Sequence, residues 1–194
     1  MKTNIGLFGG AFDPIHLGHV AVVDSLLHHP EIDEVWVVPT FHPSHRDKAT
    51  IPFDDRMMLC KEVFHDAPEV HVLSLEKDLP PPSYTLKTLE ALKASYSDHE
   101  FILCMGEDSA RSFHKWYGYE QIMAQHRLFV AQRAEKNTSA YHNDVQVHIE
   151  VIDHPMIDIS STESRERIVM KKALDEFLPQ AVLDYLDDHP ELFH

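Results

Sequence analysis

The stretch Gly6–Val20, GLFGGAFDPIHLGHV, joins a strand-like run to a helix-like one. Ile5, Leu7 and Phe8 form an apolar strand that ends in the pair Gly9-Gly10. A short loop carries Asp13-Pro14, and His16-Leu17-Gly18-His19 opens an apolar helix. A helix that starts at such a turn points its unpaired N–H groups and the positive end of its dipole into it, which attracts anions. His16 and His19 stand three apart and fall on one face at that end. Two imidazoles beside a glycine turn read as a phosphate cradle. Neither G-x-G-x-x-G nor G-x-x-x-x-G-K-[ST] occurs in the stretch, which disfavours a dinucleotide fingerprint or a P-loop.

Strand and helix signals alternate outward from this point. Strands are expected at Asn4–Phe8, Glu34–Val38, Val70–Leu73, Phe101–Met105, Leu128–Ala131 and Val147–Ile152. Between them lie a helix from Leu17 to His29 that stops near Pro30 and another capped by Asp54 and running to Phe64. A third, capped by Ser83, carries Leu86, Leu89 and Leu92 on one face. Repeated β-α units with apolar strands imply an α/β fold, a Rossmann-like doubly wound and mostly parallel sheet with helices on both faces. Ligands of such sheets bind beyond the carboxyl ends of the strands, at the switch point. Gly9-Gly10, Pro39–His45 and Gly106-Glu107-Asp108 all fall at expected carboxyl ends, so they predict one shared site.

The 194 residues suit a single domain over positions 1–194, with a C-terminal helical part from about 160. The apolar fraction of 43% is that of a globular protein, and no run approaches the ~20 residues of a membrane span. The opening MKTNIGLFGG lacks the layout of a signal peptide, and the two cysteines, Cys60 and Cys104, sit among apolar neighbours as buried thiols; a cytoplasmic setting is expected. The formal charge of −15 argues against a nucleic-acid partner, since such binding leans on clustered Lys and Arg, but leaves room for a small anionic substrate.

Four further segments carry candidate chemistry. Pro39–Lys48, PTFHPSHRDK, crowds His42, His45, Arg46 and Lys48 into a loop suited to a phosphate. A metal reading that joins His42 and His45 to His16 and His19 competes with it. In PSYTLKTL, Tyr84 and Thr85 stand at a helix start able to receive a carboxylate. In MGEDSARSFHKWYGY, Asp108 can take a ribose hydroxyl or cap the next helix. Phe113 there reads as core, and Trp116 is open between core and ring stacking. In IDISSTESRERI, Ser160, Ser161 and Thr162 lead into a helix. Arg165 stands one turn in, against the helix dipole, and so suggests an anionic ligand that offsets it.

The pattern GGxFDPxHxGH, which fixes eight positions in eleven, resembles the HxGH nucleotidylyltransferase superfamily. With PSHR, PSYTLKTL, GEDSARSFHKWY, ISSTESRERI and the tail PQAVLDYLDDHPELF, the chain resembles the bacterial nicotinate mononucleotide adenylyltransferases over nearly its whole length. The resemblance implies AMP transfer from ATP to nicotinate mononucleotide, giving deamido-NAD and pyrophosphate in NAD biosynthesis. It implies catalytic roles for His16, His19 and Arg165, and an ATP site of Phe8, Gly9, Gly10, His16, His19, Gly106, Asp108, Ser161, Thr162 and Arg165. It implies a nicotinate mononucleotide site of His45, Arg46, Thr85, Leu86, Trp116 and Tyr117, and Mg²⁺ held mainly by the ATP phosphates and not by a protein metal site. Nucleic acid and membrane are not expected as partners. Nicotinamide mononucleotide or another phosphate acceptor, and a non-catalytic nucleotide-binding module, are the alternatives. Two departures stand out: Ala11 where Thr is common, and Ser164 where an aliphatic residue precedes the Arg, which puts the pose of Arg165 in question.

Overall fold

A computed structural model of the protein describes residues 2–43, 49–132, 141–146, 148–155, 159–170 and 172–193. Six strands form one sheet in the order β3-β2-β1-β4-β5-β6, and every neighbouring pair is parallel. The strands are β1 (Thr3–Gly10), β2 (Glu34–Pro39), β3 (Val70–Val72), β4 (His99–Gly106), β5 (Leu128–Gln132) and β6 (Ile149–Asp153). The helices are α1 (Leu17–Leu27), α2 (Phe53–Val63), α3 (Thr85–Ser95), α4 (Glu107–Ser112), α5 (Tyr119–Gln125), α6 (Asn143–Gln146), α7 (Ser161–Val169) and α8 (Gln180–Asp188). The order reverses between β1 and β4, so the crevice beyond Gly10 and Gly106 is the switch point of a doubly wound sheet.

Alternation along each strand splits the core into two layers. Phe8, Val35, Val37, Ile102, Cys104, Phe129 and Ala131 face one layer, which α1, α2 and α8 cover. Ile5, Leu7, Trp36, Val38, Phe101, Leu103, Met105, Leu128 and Val130 face the other, under α3, α4 and α5. Strands apolar on both faces are what a parallel sheet with two helical layers requires. Both cysteines are buried and free, and burial pushes the Cys60 thiol up to about 12. Among the described residues no helix is long and apolar enough to cross a membrane.

Two expected caps are replaced. Helix α2 begins after Pro52 with no side-chain cap, and Asp54, two residues on within the first turn, pairs with Lys77 instead at 2.8 Å. Helix α3 follows Tyr84, also without a side-chain cap. The Ser83 hydroxyl accepts from the His42 amide at 3.0 Å, and the Ser83 amide donates to the His42 carbonyl, which ties the segment after β2 to the entry of α3. In both places a tertiary partner outcompetes the local cap. Helix α1 ends at Leu27, short of His29, with His28 as its C-cap, and β6 begins at Ile149.

Gly118 precedes α5 with φ 68°, and a Cβ there would stand 2.4 Å from Leu86 Cδ2. Left-handed strain and overpacking therefore act together. Gly118→Ala is expected to destabilise the fold by about 2 kcal/mol or more and to lower Tm by roughly 4–8 °C, read by thermal denaturation.

Candidate active site

The site starts at the junction of β1 and α1. His16 is the N-cap of α1, in extended backbone, and its Nδ1 accepts from the His19 amide at 3.3 Å. His19 Nδ1 accepts in return from the His16 amide at 3.2 Å. This is a capping box in which two imidazoles replace the usual hydroxyl and carboxylate. An Nδ1 that accepts carries no proton, so each neutral ring keeps its proton on Nε2 as a donor. The rings are stacked, with centroids 3.6 Å apart and planes 20° from parallel. Two imidazolium charges at that separation would repel strongly, which favours neutral donors over a doubly charged pair.

Packing fixes this pair. The Phe12 ring meets His19 edge-on at 4.9 Å. A Cβ on Gly18 would stand 3.0 Å from both His16 Nδ1 and Ile159 Cγ2, so a side chain there would press on the histidine pair and on the segment before α7.

That segment forms the opposite wall. Ser160 caps α7, its Oγ accepting from the Glu163 amide at 3.1 Å. Ser161 Oγ donates to the Pro14 carbonyl at 3.5 Å. Arg165 donates through Nη1 to the Asp13 carbonyl at 2.8 Å and through Nη2 to Thr162 Oγ1 at 3.1 Å. Ser164 is buried and donates to the Ser160 carbonyl at 3.0 Å, so the departure noted in the sequence is absorbed by a backbone acceptor. The anionic ligand inferred from the position of Arg165 is not required by the dipole argument. The Asp13 carboxylate, 3.9 Å from Nη1, already offers a negative partner.

Between the walls lies a cleft of about 240 Å³. Phe8, Gly9, Gly10, His16, His19, Gly106, Asp108 and Ser161, all expected from the sequence, line it. Thr162 and Arg165 stand beside it on α7 and do not line it. Asp108 does not cap α4, whose N-cap is Gly106. Glu107, expected with Gly106 and Asp108 at the end of a strand, lines the cleft too, and so do residues that the sequence did not single out, among them Val22, Ala131, His154 and Ile159. Two of them carry a positional signal: Ala131 and His154 fall at the carboxyl ends of β5 and β6, where ligands of doubly wound sheets bind.

Thr85, Leu86, Trp116 and Tyr117 do not line that cleft; the start of α3 and the segment before α5 meet beside it through Tyr84 on Tyr117 and Leu86 on Gly118. Thr85 opens α3, and Leu86 is buried against Gly118. Tyr117, 54% exposed, stacks on Tyr84 with centroids 4.6 Å apart. Trp116 is half-buried, edge-on to Phe113 at 5.3 Å, so it belongs in part to the core yet keeps an exposed portion. His45 and Arg46 lie outside the described residues.

The cytidylyltransferase-like family model matches residues 7–167. A protein of Flavobacterium psychrophilum named "probable nicotinate-nucleotide adenylyltransferase" is 37% identical over 94% of this chain and 95% of its own length. One of the same name from Thermotoga petrophila is 36% identical over 95% of each. The solved structure of Plasmodium falciparum nicotinic acid mononucleotide adenylyltransferase complexed with NaAD superposes with TM-score 0.83 at 20% identity, over 98% of this chain and 97% of that one. At that identity the superposition speaks for the fold, and the Flavobacterium and Thermotoga proteins speak for the family. The chain belongs to the cytidylyltransferase-like family and to its nicotinate-nucleotide adenylyltransferases.

Proposed function

We propose that this enzyme transfers AMP from ATP to nicotinate mononucleotide, forming deamido-NAD and pyrophosphate in NAD biosynthesis. The single observation that carries the reading is the reciprocal histidine pair at the start of α1, facing the start of α7 across the cleft. Two imidazole donors and two helix N-termini suit a polyphosphate.

The acceptor phosphate oxygen attacks the α-phosphorus of ATP in line, and pyrophosphate leaves on the opposite side. His16 and His19 donate from Nε2 to phosphate oxygens, while Ser161, Thr162 and Arg165 hold the triphosphate from α7. No protein nucleophile is needed. Fixing both anions and placing donors where charge develops supplies the rate enhancement. Phe8, Gly9, Gly10, Gly106 and Asp108 would cradle the nucleoside, with Asp108 near a ribose.

On the acceptor side, the first turn of α3 at Thr85 and Leu86, with the backbone at Tyr117, would receive the pyridine carboxylate. Helix α3 has no side-chain cap, so its first amides suit an anion. Trp116 would stack on the ring, and His45 and Arg46 would approach the phosphates. Mg²⁺ enters as part of the ATP substrate, bound largely by phosphate oxygens and water.

The test is pyrophosphate release with ATP, Mg²⁺ and either nicotinate mononucleotide or its amide. Rapid release is expected with the acid and slow release with the amide. A preference for the amide would overturn the carboxylate pocket at α3, and silence with both would overturn the reaction.

A further inference from the structure

The loop between β1 and α1 holds a backbone strain that neither histidine explains. Phe12 has φ 46°, a left-handed conformation that a bulky aromatic residue rarely adopts, and it is buried. Such strain persists only where the surroundings over-determine it. Next to it is Asp13, fully buried, whose carboxylate accepts from the Ile51 amide at 2.8 Å and the Thr50 amide at 3.0 Å. Two amides anchor the carboxylate from one side. From the other, Arg165 reaches Asp13 twice: Nη1 donates to its carbonyl at 2.8 Å and stands 3.9 Å from Oδ2. The same residue therefore pins the strained turn that sets the Phe12 ring against His19, and holds the guanidinium of α7 beside the cleft.

From this geometry we infer that Asp13 is a positioning residue for the polyphosphate end of the cleft, holding Arg165 at a fixed distance from the histidine pair. The inference rests on the reading of the cleft as an ATP site. Asp13 touches no substrate. It acts through Arg165 and Phe12, so its removal affects a ligand according to how many phosphates that ligand places between the walls. The hydrogen bond to the Asp13 carbonyl aims the guanidinium, and the buried carboxylate 3.9 Å away adds a coulombic attraction that screening by water weakens little.

The experiment is calorimetric titration of the Asp13→Asn protein with MgATP and, separately, with AMP, with no acceptor present. Asparagine keeps the volume, removes the charge facing Arg165 and turns an N–H donor toward one of the two loop amides. Affinity for MgATP is expected to fall about 10-fold or more, while affinity for AMP, which lacks the β- and γ-phosphates, stays within about twofold. In an Arg165→Lys background the same change is expected to cost MgATP affinity no more than about twofold, since contacting residues in one network are non-additive. Equal losses for both nucleotides would mark a purely structural role and overturn the inference, as would an unchanged MgATP affinity or full additivity with Arg165→Lys. Should Asp13→Asn fail to fold by circular dichroism, Asp13→Ser, smaller and still an acceptor for a loop amide, takes its place with the same readout. Wild-type turnover separates the two readings. Loss of MgATP affinity with AMP affinity kept supports the inference even where nicotinate mononucleotide is not adenylylated, whereas a wild-type protein that binds no ATP overturns both.

Discussion

Alanine in place of His19 is expected to lower kcat for pyrophosphate release by about 100-fold or more, through loss of one donor aimed at charge that grows in the transition state. KM for ATP is expected to move much less, because the donor is worth more to the developing charge than to the bound triphosphate. His19 also closes the capping box, since its Nδ1 accepts from the His16 amide, so alanine weakens the start of α1 by about 1 kcal/mol. The two effects separate with His19→Gln. Glutamine at the third helical position can accept the same amide, as in an ordinary capping box. That variant is expected to recover stability in thermal denaturation while remaining slow. A fast His19→Gln would move the catalytic role from the ring to the helix start alone, and a near-normal rate in folded His19→Ala would remove His19 from catalysis.

Much of this arrangement is legible in the sequence, because it is carried by periodicity and by glycine. Strands apolar on both faces announce a covered parallel sheet. The GGAFDPIHLGH run places a tight turn ahead of a helix, and the glycines at Gly9, Gly10 and Gly106 fall at the strand ends where the cleft opens. What escapes the sequence is pairing across long separations. The hydroxyl of Ser83 looks like a helix cap but serves His42, and Asp54 serves Lys77, because nothing local distinguishes a capping oxygen from one drawn away by a tertiary partner. The histidine capping box is equally hidden, since imidazole at both cap positions departs from the hydroxyl–carboxylate signature. Val22, Ala131 and His154 reach the cleft only through the order in which the strands assemble.

Asp13 and Arg56 are the deepest example, and they carry the largest stability prediction. Arg56 on α2 is 1% exposed, and it donates through Nε to the Ile51 carbonyl at 3.1 Å and through Nη1 to the Ala11 carbonyl. It thus takes the carbonyl of the residue whose amide Asp13 holds, so a buried cation and a buried anion clasp the same peptide segment from its two polar sides. Its guanidinium also lies over the Phe53 ring, 5.4 Å from the centroid. Arg56→Met keeps the apolar stem but orphans two carbonyls, each costing about 1–3 kcal/mol when left unmade in a buried setting. A loss of about 3 kcal/mol or more is therefore expected, seen as a fall in Tm of roughly 6–12 °C. Arg56→Lys is expected to recover only part of it, because a single ammonium cannot copy the fork that spans Ala11 and Ile51. Where Arg56→Met still folds, the strained turn at Phe12 loses one of its restraints, so kcat is expected to fall along with stability. An Arg56→Met protein as stable as the wild type would show that the loop is held by Asp13 alone.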